Sequence, residues 1–97
     1  MKIGGLETIV VKVGQEQNLE RLFKELREIM LTEEPDCQFY SLLKSRTNPQ
    51  AYIVQEKYPN QKALDLHESS TYEAEYFPKM RSILDVITVE YFDVIVD

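Results

Sequence analysis

The sequence predicts an α+β domain of order β-α-β-β-α-β, a four-stranded antiparallel sheet with its helices on one face. Three observations carry this. Leu6 to Val13 and Val86 to Val96 are rich in β-branched residues and read as a first and a last strand. Leu19, Leu22, Phe23, Leu26, Ile29 and Met30 recur along one stripe of 3.6-residue period and mark a helix from Glu16 to about Thr32. Cys37 to Ser45 and Ala51 to Tyr58 are strand-like runs joined by the turn-forming stretch Arg46-Thr47-Asn48-Pro49-Gln50, so a hairpin follows the helix.

The boundaries have local causes. Gly4-Gly5 reads as a flexible terminus, and Met1 to Gly5 has no apolar core of a secretory signal behind it. Gly14 breaks the first strand, and Glu16 and Glu20 suit the positive end of the helix that follows. Pro35 ends that helix. After the hairpin, Asn60 is placed to cap a short helix whose Ala63, Leu64 and His67 share a face. Ser70-Thr71-Tyr72-Glu73 has capping-box spacing and opens a further helix towards Leu84, which Pro78 should kink or restart near Phe77. The whole order is that of a ferredoxin-like split βαβ fold, with its second helix in two pieces.

At 97 residues the chain suits one domain, 1–97. Its 43% hydrophobic and 29% charged residues are ordinary for a globular protein and argue against disorder. The net charge of −6 without a Lys/Arg cluster argues against nucleic acid, and the short apolar runs argue against a membrane span. Cys37 is the one cysteine, which suits a reducing cytoplasm. One His and one Cys make no recognisable metal site, and Cys37 lacks a cationic neighbour that would make it a nucleophile.

Both faces of the strands are apolar. Ile9, Val11 and Val13 oppose Leu6 and Val10; Phe39 and Leu43 oppose Tyr40 and Leu42. In the last strand Val86, Phe92, Val94 and Val96 alternate with Ile87, Val89, Tyr91 and Ile95. The helices can shelter one face only. A homodimer packed sheet against sheet is therefore expected, C2 symmetry being the commonest closed form.

Glu34-Pro35-Asp36-Cys37-Gln38-Phe39-Tyr40 resembles the E-P-G-C-x-x-Y segment of antibiotic biosynthesis monooxygenase domains. Tyr52-x-Val54-x-Glu56-x-Tyr58, then Ala63-Leu64-x-x-His67-x-x-Ser70 and the downstream Phe77, resemble the same family's aromatic-x-aliphatic-x-E-x-W and A-L-x-x-H-x-x-S patterns. Asp36 stands where the family has Gly and Tyr58 where it has Trp. The resemblance spans about Glu7 to Ile95. It implies a dimeric α+β barrel with a pocket between each sheet and its helices, and oxidation of quinols by O2 without metal or flavin. Haem-degrading relatives use a first-strand Asn and a Trp, neither of which is present here.

Oxidation without a cofactor needs a substrate made electron-rich as its phenolate, hence a base, a donor to the substrate oxygen and an apolar cavity. His67 is the candidate base, since imidazole titrates near working pH. Glu56, a carboxylate in an apolar strand, could orient His67 or take a proton. Tyr58, Tyr72, Tyr76 and Phe77 could line a site for a flat aromatic ligand. Each has a structural alternative: a satisfied buried histidine, an ion-paired glutamate, aromatic core. Glu33-Glu34 and Glu73 with Glu75 read as solvated surface.

The expected function is cofactor-independent oxidation of a small hydroxylated aromatic or quinol. Isomerase or lyase chemistry on a small carbonyl compound, led by His67 and Glu56, and a non-catalytic dimeric ligand-binding or stress-response module are the alternatives.

Overall fold

The computed structural model describes residues 1–37 and 39–97. Four strands, β1 (Ile3–Val11), β2 (Phe39–Lys44), β3 (Ala51–Tyr58) and β4 (Leu84–Asp93), form one sheet in the order β2-β3-β1-β4, every neighbouring pair antiparallel. Helices α1 (Glu16–Glu33), α2 (Gln61–Glu68) and α3 (Thr71–Arg81) fill the connections. This is the ferredoxin-like arrangement, its second helix split in two.

The apolar stripe of α1 is the anchor. Leu19, Leu22, Phe23, Leu26 and Met30 are buried against Ile9, Val11, Tyr40, Tyr52 and Val54 on the inner face of the sheet. Phe23 stacks on Tyr40 with ring centroids 4.8 Å apart. Full burial of a side chain such as Leu26 stabilises by roughly 1.5–3 kcal/mol. Gly14 supplies the turn into α1 with φ +85°, a left-handed value that other residues resist. Asn60 caps α2 by accepting from the Ala63 amide at 2.9 Å, and Ser70 caps α3 by accepting from the Glu73 amide at 3.2 Å.

Several expectations need correction. β1 starts at Ile3, so Gly4 and Gly5 are strand residues paired with Lys57 and Glu56. It ends at Val11, leaving Val13 exposed. β4 runs from Leu84 to Asp93 because β1, its one strand partner among the described residues, begins opposite Asp93 at Ile3. Val94 to Val96 therefore lie beyond the strand, with Ile95 and Val96 largely exposed. A register shift at Val10/Val11, opposite Asp85, lets β4 enter early. Helix α3 does not restart at Pro78; it runs through it and ends three residues later, at Arg81. Gln38, inside the expected second strand, lies outside the described residues.

The two faces of the sheet differ as the alternation requires. The helices cover the face of Ile9, Val11, Tyr52 and Val54. Leu6, Phe39, Leu43, Ile53, Val86 and Phe92 point the other way and are between 36% and 46% exposed. The helical cover is also incomplete: Val89 and Tyr91 of β4 share the inner face with Glu7 and Gly5, yet remain exposed. Among the described residues, no helix is long and apolar enough to cross a membrane.

Candidate active site

The uncovered strip of β4 forms one wall of an open cavity of about 370 Å³. Strands β1 and β3 contribute Glu7 and Glu56, α2 contributes His67, and α3 contributes Glu73, Phe77 and Pro78. Val89 and Tyr91 complete the β4 side. Carboxyl groups and an imidazole thus meet a largely apolar wall.

His67 sits in the last turn of α2 and is 4% exposed. Its ring is packed among those of Tyr58, Tyr40 and Tyr72, with centroids 5.6, 5.7 and 6.5 Å away. Nδ1 donates to Glu34 Oε2 at 2.8 Å, and Tyr72 donates its hydroxyl to the same oxygen. On the cavity side Nε2 lies 3.3 Å from Glu73 Oε2. Burial works against a charged ring. The hydrogen bond to Glu34 and the charges of Glu73, Glu34 and Glu56 outweigh it, and the ring holds its proton above its usual value.

Glu34 and Glu73 are therefore not solvated surface: their side chains are only 9% and 20% exposed. Glu34 follows the last turn of α1, where the chain swings back under α2. Glu73 occupies the capping-box position. The Ser70 amide donates instead to the His67 carbonyl at 3.2 Å, so the reciprocal half of the box is absent and the Glu73 carboxylate faces the imidazole. Burial raises Glu73, with the charge of His67 pulling the other way.

Glu56 is 4% exposed, and its Oε2 has no hydrogen-bond partner among the described residues. Burial makes Glu56 hold its proton more tightly than an ordinary carboxyl group, opposed by the charge of His67 and by hydrogen bonding to Glu7. Glu7 is pushed up to about 8, first by burial and then by the charge of Glu56. Two carboxyl groups this close resist ionising together.

Of the residues expected in the site, His67, Glu56 and Phe77 line this cavity. Tyr58 is fully buried beneath the His67 ring and does not line it. Tyr72 stands on the far side of His67, beside a hollow of about 210 Å³ shared with Glu34 and Cys37. Tyr76 turns towards α1 and donates to Glu25 Oε1 at 3.1 Å, away from the cavity. Cys37 is a free thiol that burial pushes up to about 11, which removes its nucleophilic character at neutral pH. Glu7, Glu34, Glu73 and Tyr91 were not anticipated. Glu7 had a signal, as the one charged residue among the alternate positions Ile3, Gly5, Glu7, Ile9 and Val11.

Residues 6–79 match the antibiotic biosynthesis monooxygenase family. The chain belongs to that family. Among solved structures, a proposed antibiotic biosynthesis monooxygenase from Caulobacter crescentus superposes with a TM-score of 0.92 at 27% identity, over 98% of this chain and 91% of that one. A conserved protein from Methanosarcina mazei superposes at 0.88, also with 27% identity, over 95% and 91% of the two chains. A Mycobacterium tuberculosis protein shares the fold at 0.89 and 17% identity, over 100% and 98%. No curated protein matches the sequence. Glu34, Tyr58 and Ser70, apart in sequence, are brought together around His67: Glu34 and Tyr58 against its ring, Ser70 on its backbone carbonyl.

Proposed function

We propose that the protein is a cofactor-independent monooxygenase, an oxidoreductase that oxidises a small hydroxylated aromatic or quinol with O2. The observation that carries this reading is the imidazole of His67, buried between Glu34 and Glu73 at the edge of a cavity that also holds Glu56. A carboxyl group whose proton affinity is raised by burial is a better base than a solvated one. Glu56 is thus suited to take a phenolic proton. His67, which tends to keep its own proton, is suited to stabilise the resulting phenolate rather than to act as the base. Phe77, Pro78 and Val89 offer an apolar wall against the ring. The quinol supplies the electrons itself: quinol plus O2 gives hydroxyquinone plus water, and no external reductant is required.

Oxygen uptake with a panel of benzene- and naphthalene-diols tests this. The wild-type protein is expected to consume O2, and His67→Gln and Glu56→Gln to lower kcat by roughly 10²-fold or more. Aromatic binding without oxygen uptake, unaffected by His67→Ala, would make the protein a ligand-binding module instead.

The same reading includes a homodimer. The exposed Leu6, Phe39, Ile53 and Phe92 side chains form the apolar face that a second sheet would cover. Sedimentation at twice the chain mass at micromolar concentration is expected, and Phe92→Asp should shift it to the monomer. The lone free cysteine fits a cytoplasmic setting.

A further inference from the structure

We propose that Glu7 and Glu56 form a recognition clamp for the adjacent hydroxyl groups of a neutral aromatic diol, and that Gly5 is the positioning residue that lets Glu56 reach it. This rests on the cavity being the ligand site described above, and it specifies which ligand that site accepts.

The placement begins with the register. Gly5 and Glu56 are directly opposed on β1 and β3, and Glu7 follows two residues on, on the same face. A Cβ on Gly5 would lie 2.6 Å from both Cγ and Oε1 of Glu56, inside any allowed contact. The Glu56 side chain therefore lies flat across the glycine, towards Glu7 and Tyr91, instead of standing off the sheet. An alanine there would evict it.

Glu56 is almost completely buried, lines the cavity, and leaves Oε2 without a hydrogen-bond partner among the described residues. A buried acceptor of this kind costs free energy unless something donates to it. Tyr91 and Glu7 lie near this carboxyl group, yet neither donates to Oε2. A ligand hydroxyl can.

Charge decides the class of ligand. Glu7 from β1, Glu56 from β3, Glu73 from α3 and Glu68 from α2 surround the cavity, against the single cation available at His67. A carboxylate- or phosphate-bearing ligand would meet repulsion from most sides. Because Glu7 and Glu56 resist ionising together, one member can donate while the other accepts. Two neighbouring hydroxyls on an aromatic ring match that pair: one donates to the ionised carboxylate, the other accepts from the protonated one. The ring itself then rests on Phe77 and Val89.

The test is ligand binding under nitrogen, read by NMR titration, which keeps recognition separate from turnover. The probes are 1,2-dihydroxybenzene, 1,4-dihydroxybenzene and 2-hydroxybenzoate. The wild-type protein is expected to bind the 1,2-diol at least about tenfold more tightly than either of the others. Glu7→Gln and Gly5→Ala should each weaken the 1,2-diol by roughly tenfold or more, and Glu7→Gln should improve relative binding of 2-hydroxybenzoate. Glu7→Gln changes no backbone demand, so it decides the matter if Gly5→Ala fails to fold. Equal wild-type affinity for the 1,2-diol and 2-hydroxybenzoate, or unchanged diol binding by Glu7→Gln, overturns the clamp even where oxygen uptake persists. Selective diol binding that depends on Glu7, without any oxygen uptake, supports the clamp and overturns the oxygenase reading.

Discussion

The inner face of the sheet has two ends built from the same strands and of opposite character. At one end Ile9, Val11, Tyr52 and Val54 meet Leu19, Leu22, Phe23 and Leu26 of α1 in a sealed apolar core. At the other, the next inner positions of the same strands are Gly5, Glu7 and Glu56, facing His67, and the apolar packing shrinks to Ile3, Tyr58 and Leu64. The helices explain the contrast. An 18-residue helix with a continuous apolar stripe spans one end, whereas the 8-residue α2 and the polar first turn of α3 leave β4 bare at the other. Apolar burial is concentrated away from the candidate site. The open end tolerates buried charge because those charges are arranged around one imidazole.

This contrast can be broken from either side. The largest effect is expected in the sealed end: Leu26→Ala should cost about 2–5 kcal/mol in urea denaturation, by loss of transfer energy plus a cavity. Ligand binding by the fraction that stays folded should be unchanged.

At the open end, removing a charge should stabilise the fold in one pH range only. Glu7 binds its proton more tightly folded, at about 8, than at its ordinary value of 4.5. Its contribution is therefore fully present below 4.5 and is lost as the pH rises through about 8. His67 is raised as well, and its contribution likewise fades as the pH rises through its folded value. Asp97, held down to about 2 by hydrogen bonds from Lys2 and Lys57, runs the opposite way, and only below its ordinary 3.8. Glu7→Gln should then be more stable than wild type by about 1–3 kcal/mol above pH ~8.5, and the gap should close near pH 5. A constant difference across that range would show that Glu7 is not buried against Glu56.

The smallest effect should come from the joint between α2 and α3. Ser70 Oγ accepts from the Glu73 amide and donates to the His67 carbonyl at 2.7 Å, tying together the two residues that face each other across the imidazole. Ser70→Ala should cost about 1 kcal/mol by loss of the cap. It should also shift the His67 titration seen by NMR, whereas a cap with no influence on the site would leave that titration in place.

The sealed end was largely legible. The stripe of α1 predicts its buried residues, because a 3.6-residue period places them on one side whatever they pack against. Asn60 and Ser70 announce their helices because capping is settled within three residues. The open end was less so. Glu34 and Glu73 look like members of exposed acidic pairs until the fold sets them against His67. Tyr72 and Tyr76, four residues apart on one helix, end on different structures, one bonded to Glu34 and the other to Glu25. Gly4-Gly5 looked like a loose terminus because a strand without side chains leaves no alternation to read.

By itself, then, the sequence determined the order of elements, their caps, the sheltered stripe of α1 and the prominence of His67, since each depends on neighbours within a few positions along the chain. Only the tertiary structure decided which carboxylates hold that imidazole, that Gly5 must yield its space to Glu56, and that β4 stays open to form a cavity. Glu34 reaches His67 from 33 positions away and Glu56 lies over Gly5 from 51, while Glu73, six positions from His67, faces it only because α3 turns back on α2. These contacts follow from strand register and helix length acting together, and neither is written in any local pattern.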